Sequence, residues 1–157
     1  MADDQRPGDL YERDFYLWTQ AQAEALRAEA QRRAGGSNAV DWEHVAEEIE
    51  DMGGRDVREC YSRAATIIEH LFKLAWSQQK EPVGGWRITI LTQRRDLDLT
   101  LTPSIRRKLE EKLEELHVRA LVLAEDAFKT NEPTTPRDAS LRWTLEQILG
   151  EVGDPLA

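Results

Sequence analysis

The sequence predicts an all-α protein, a bundle of five to six helices joined by short loops, and three observations predict it. Apolar residues recur at three- and four-residue spacing through most of the chain, the signature of helices with one buried face. Helix-start residues and glycine or proline punctuation bracket these stretches. The one segment that could alternate as a strand, Trp86 to Leu101, has no second strand to pair with, and an isolated strand is not stable.

Residues 1–8 read as a disordered tail, because Asp3, Asp4, Pro7 and Gly8 offer nothing to bury. A first helix is expected from about 10 to 33. Asp9 to Glu12 has capping-box spacing, Asp14 is a second cap, and Phe15, Trp18, Ala21, Gln22, Ala25 and Leu26 supply the stripe. Ala34 to Asn38 ends it. Asp41 then caps a short helix over Trp42, Val45, Ala46, Ile49 and Met52, of which Trp42, Val45, Ile49 and Met52 should be buried, with Gly53-Gly54 as its left-handed stop. A long central helix follows from Arg55 to about Gln79 along Val57, Cys60, Ala64, Ile67, Ile68, Leu71 and Phe72. Lys80 to Gly85, with Pro82 and two glycines, is expected to be a loop, and Trp86 to Leu101 a helix. Thr102-Pro103 opens a helix to about 130, a proline-containing loop covers 131–137, and Thr144 to Gln147 has capping-box spacing for a short last helix. The domain is therefore set at 9–150, with 151–157 as a frayed end.

At 157 residues one domain can bury about 70% of its unfolded surface without staples. Cys60 stands alone, so no internal disulfide forms, which fits a reducing cytoplasmic address. No apolar run is long enough to span a bilayer, so no membrane role is expected. The net charge of −9 disfavours nucleic acid as a partner, although the charge is unevenly spread: −8 over 1–53, +2 over 54–100 and −3 over 101–157.

Several groups are candidates for function. Glu43, Glu47, Glu50 and Asp51 form an acidic helix face with three readings: a metal or cation site built on Glu47 and Glu50 one turn apart, a solvated face, or a face whose Glu47 or Glu50 pairs with Arg55, Arg58, Arg87 or Arg94 of the basic middle segment. His44, His70 and His117 fall on three helices, but only His117 has the phase to face inward, and the Glu-x-x-His spacing at Glu114 occurs once where a di-iron bundle needs it twice; no metal or cofactor is expected. Cys60 sits within an apolar face and reads as a core thiol. Trp76 and Trp86 flank the loop beside Arg87, Gln93, Arg94 and Arg95, an aromatic-plus-arginine composition typical of interaction hot spots. Neither a nucleophile motif nor a phosphate loop is present.

Taken together, Tyr11 with Asp14-Phe15 and Trp18, the run Glu47-Glu-Ile-Glu-Asp-Met-Gly53, Leu71 to Trp76, and Trp86-Arg-Ile-Thr-Ile-Leu-Thr-Gln-Arg-Arg95 resemble a bacterial family of small all-helical domains known as domain of unknown function number twenty-nine. The likeness spans about residues 9–150 and departs at Gly150 to Pro155. It implies an all-α fold, including a helix at Trp86, and implies no activity. The expected role is a protein–protein interaction module without catalysis, with a protein partner or a second copy of the chain. Two other roles are a ligand-binding or catalytic bundle using the Glu/Arg cluster, and an acidic toxin–antitoxin-like partner of a basic protein. The expected surface is Glu47, Glu50, Asp51, Arg55, Arg58, Trp76, Trp86, Arg87, Gln93 and Arg94.

Overall fold

A computed structural model describes residues 7–36 and 39–157. The tail expected at 1–8 lies outside the described residues except for positions 7 and 8, which open the first helix. All regular structure among the described residues is helical: α1 (Pro7–Arg13), α2 (Phe15–Arg32), α3 (Trp42–Trp76), α4 (Glu81–Thr100), α5 (Pro103–Asn131) and α6 (Leu145–Leu149). The chain groups into two compact units, one of residues 1–58 with 102–106 and one of 59–101 with 107–157.

In the first unit, the helix expected over 10–33 is two helices broken at Asp14. Asp14 leaves helical geometry (φ −153°, ψ 83°) so that its carboxylate can accept the Leu17 backbone N–H at 3.0 Å. Tyr11, Phe15 and Trp18 pack around this corner, Tyr11 edge-on to both partners at 5.4 and 4.8 Å. On α2 the fully buried positions are Thr19 and Ala23, whereas Ala21 and Ala25 of the expected stripe are exposed.

The largest departure from expectation is at Gly53-Gly54, which is helix interior, not a stop. Neither glycine has positive φ, and α3 continues through both for 35 residues. The reason lies across the interface. A Cβ at Gly53 would stand 2.1 Å from Thr19 Oγ1 and 3.1 Å from a ring carbon of Tyr16, so glycine here admits α2 to close contact. The buried line on this part of α3 is accordingly Ala46, Gly53 and Val57, advancing by a half-buried Glu50 at alternating four- and three-residue steps. Val45 and Met52, expected inside, are exposed, and Trp42 and Ile49 are half-buried, because the line is rotated to follow the small residues.

In the second unit α3 contributes Cys60, Ala64, Ile67, Ile68, Leu71 and Phe72 to the core. Ile90 and Leu97 come from α4, Leu109, Leu116, Ala120, Ala124 and Phe128 from α5, and Leu145 and Ile148 from α6. α4 starts five residues earlier than the expected Trp86 helix. Pro82 occupies the first turn, where its missing N–H costs nothing, and Gly84 and Gly85 stay helical instead of forming a loop. α6 has the expected capping box, with Thr144 and Gln147 bonded reciprocally, and ends on Gly150 at φ 76°. The segment after it is not frayed: Leu156 is buried and Asp154 is engaged by Arg94.

Candidate functional site

The ten expected surface residues separate into two groups of five. Glu47, Glu50, Asp51, Arg55 and Arg58 belong to the first unit, and Trp76, Trp86, Arg87, Gln93 and Arg94 to the second.

In the first group only Glu50 is strongly held. Its partner is an arginine the sequence reading did not single out, Arg27 of α2, which donates to Glu50 at 2.7 Å and to Glu43 at 3.1 Å. Glu43 and Glu50 are seven residues apart on α3, so one guanidinium spans two turns of the acidic face. That hydrogen bond holds the Glu50 carboxyl below its usual range. The expected pairing of this face with Arg55, Arg58, Arg87 or Arg94 is therefore replaced at Glu50 by one with α2. Glu47 and Asp51 are exposed, and Arg55 meets Glu48 at 3.5 Å on the outside of the same helix.

The second group is built into the fold more deeply than a surface reading expects. Trp76 is buried among Phe72 and Phe128, with ring centroids at 5.2 and 5.4 Å, and its indole N–H donates to the Asp138 carbonyl at 3.1 Å. Gln93 accepts from Arg63 at 3.1 Å. Arg94, almost buried, donates Nε to the Ile148 carbonyl at 2.8 Å, Nη2 to the Gln147 carbonyl at 2.9 Å, and both Nη atoms to Asp154 at 3.2 and 3.0 Å. Cationic donors on the last carbonyls of a helix are the favourable match to its dipole. Burial alone would raise the Asp154 carboxyl, and the hydrogen bonds from Arg94 turn the shift downward. Arg87 donates to the Leu156 carbonyl at 2.7 Å. These arginines thus fasten the chain's last segment. Arg94→Ala should cost about 2 kcal/mol and Arg94→Lys about half as much, since lysine keeps the charge but loses the fork; urea unfolding curves measure both.

Trp86 is half-buried and remains beside open space. It lines a cleft of about 570 Å³ together with Gln79, Glu81, Pro82, Asn131 and Glu132. The sequence reading named the tryptophan and its loop but not Asn131 or Glu132, which arrive from the end of α5 with no local signal.

His117 is buried and neutral in form. Trp143 N–H donates to its Nε2 at 3.0 Å, so Nδ1 carries the proton and donates to the Leu113 carbonyl at 2.8 Å, while burial pushes its pKa down. Cys60 is buried in the core. Among the described residues no group of three or more His, Cys, Asp or Glu side chains is placed to hold a metal ion, and no helix is long and apolar enough to cross a membrane.

A crystal structure of an alpha-helical protein of unknown function from Rhodospirillum rubrum is similar to this chain over 92% of each, with 28% sequence identity and a TM-score of 0.79. No curated protein matches the chain. The family described as domain of unknown function DUF29 matches residues 10–152, which contain the tryptophans, the Glu-Ile-Glu-Asp-Met-Gly run and Arg94; the chain belongs to that family.

Proposed function

We propose that this chain is a protein–protein interaction module, cytoplasmic and without chemistry of its own, that holds its partner on the outer face of α4. The observation that carries the reading is the exposure of Ile88 (66%), Leu91 (54%) and Leu99 (82%). At about 100° per residue these three and Arg95 fall within a quarter-turn of one another, directly opposite the buried Ile90 and Leu97. Single exposed apolar side chains are ordinary, but three on one stripe around an exposed arginine have the composition of an interaction hot spot. The ligand-binding reading based on Glu47, Glu50 and the arginines has less support, because Glu50 is taken by Arg27 and Arg94 by the last segment.

The test compares native protein with Leu91→Asp/Leu99→Asp in affinity capture from the host, with scattering mass on the same preparations. Partner proteins should be lost by the variant while its melting temperature stays within a few degrees, since exposed positions change stability by only about 0.5 kcal/mol each. A mass that halves in the variant identifies the partner as a second copy. Retention of every captured protein would refute the assignment of this face.

A further inference from the structure

We propose that the cleft between the first turns of α4 and the end of α5 binds a primary ammonium or guanidinium group. The argument begins with Glu132. Its side chain belongs to a residue only 8% exposed, yet the groups that hold it are two neutral hydroxyls: Ser77 donates to Oε1 at 2.7 Å and Thr135 to Oε2 at 3.0 Å. No basic side chain among the described residues pairs with it, Arg137 of the same loop included. A carboxylate held this far from water is normally balanced by a cation, because neutral hydrogen bonds offset only part of its lost hydration.

The surroundings specify what kind of cation the space accepts. Glu81 adds a second acid to the lining, and Trp86, half-buried against Phe128 at 6.3 Å, adds an aromatic side chain of the kind whose face attracts cations. Asn131 donates its amide N–H to the Ala127 carbonyl at 3.0 Å, which leaves its side-chain oxygen as an acceptor. Carboxylate and amide oxygens beside an aromatic side chain suit a cation bearing N–H donors better than a quaternary ammonium. The volume, about 570 Å³, falls in the range of small-molecule pockets and exceeds what one amine headgroup fills, leaving room for the chain that carries it. Such a group is found both on small aliphatic amines and on lysine or arginine side chains of another protein. The inference does not depend on the outer face of α4.

The test is a chemical-shift titration of nitrogen-15-labelled full-length protein at fixed ionic strength with n-butylammonium and n-propylguanidinium, and with n-butanol as neutral isostere. The expected result is saturable movement of the Trp86 indole N–H and of the Asn131 and Glu132 amides with the cations, none with the alcohol, and about tenfold weaker binding in Glu132→Gln. Putrescine and an acetyl-Gly-Lys-Gly-amide peptide form the two source arms: tighter binding of putrescine assigns the site to free amines, and tighter binding of the peptide to a protein side chain. Should Glu132→Gln lose its dispersed spectrum, Glu81→Gln and Trp86→Leu take its place and are each expected to weaken binding severalfold. Absence of movement at about 10 mM, equal response to n-butanol, or affinity unchanged by these substitutions overturns the proposal.

Discussion

Gly53→Ala should destabilise the protein by about 3 kcal/mol or more, although a glycine-to-alanine change inside a helix ordinarily stabilises by up to about 1 kcal/mol. The sign reverses because the added methyl has no room: its position is 2.1 Å from Thr19 Oγ1 and 3.3 Å from Thr19 Cβ, and Thr19 is fully buried with its hydroxyl committed to the Tyr16 carbonyl at 2.7 Å. Relief requires either that α2 and α3 move apart or that the Thr19 hydroxyl gives up its acceptor. Gly54→Ala is the internal control. Its methyl would meet only the far end of the Arg58 side chain at 3.2 Å, which can swing away, so stability should rise slightly. Thermal unfolding followed by far-UV circular dichroism separates the neighbours, and Thr19→Ala should recover part of the Gly53→Ala loss because it removes the obstructing oxygen. Equal behaviour of the two glycine variants would refute the close-approach account.

That pair of glycines also marks where the sequence stops being legible. A C-cap glycine and a glycine that lets two helices touch have the same appearance in a single chain; what distinguishes them here is Thr19, 34 positions earlier and on another element. The same holds at Pro82 to Gly85. Proline at a helix start and proline in a loop read alike, and the glycines there have open space around them, so no packing partner could have been inferred. Signals confined to three or four residues survived: Thr102-Pro103 and the Thr144–Gln147 capping box are where local spacing puts them. Pairings across long separations did not. Arg27 sits in an Ala/Glu/Gln/Arg run that reads as a solvated face, and its partners are 16 and 23 residues away; Arg94 reads as surface, and its acidic partner is 60 residues away. Trp86 stands out in the sequence because an aromatic beside arginines is conspicuous, and it lines the cleft, whereas Glu132 is one acid among many until its burial is known.

Asp14→Ala is expected to cost about 3 kcal/mol, and the loss should shrink in acid. Asp14, 5% exposed, joins the starts of two helices: one oxygen accepts from Leu17 N–H at 3.0 Å and from the Ser104 hydroxyl at 2.6 Å, and the other from Ser104 N–H at 2.8 Å, 90 residues away in sequence. Losing the α2 cap removes about 1 kcal/mol, and leaving the buried Ser104 N–H without an acceptor adds about 1–3 kcal/mol. Asp14→Asn should cost less, since its amide oxygen still accepts one of the two backbone N–H groups, that of Leu17 or that of Ser104, and only the other loses its acceptor. Burial by itself would raise the Asp14 carboxyl pKa, but the donors Ser104, Leu17 and Thr102 outweigh it and hold the value below its ordinary 3.8. The folded state therefore binds fewer protons at this site than the unfolded chain does. Its stabilisation is complete above about 3.8 and is lost as pH falls through the lower folded value. Urea unfolding of native protein and Asp14→Asn at neutral pH and again near pH 3 should show the gap narrowing. A gap that stays constant would mean that shape at position 14 matters and its negative charge does not.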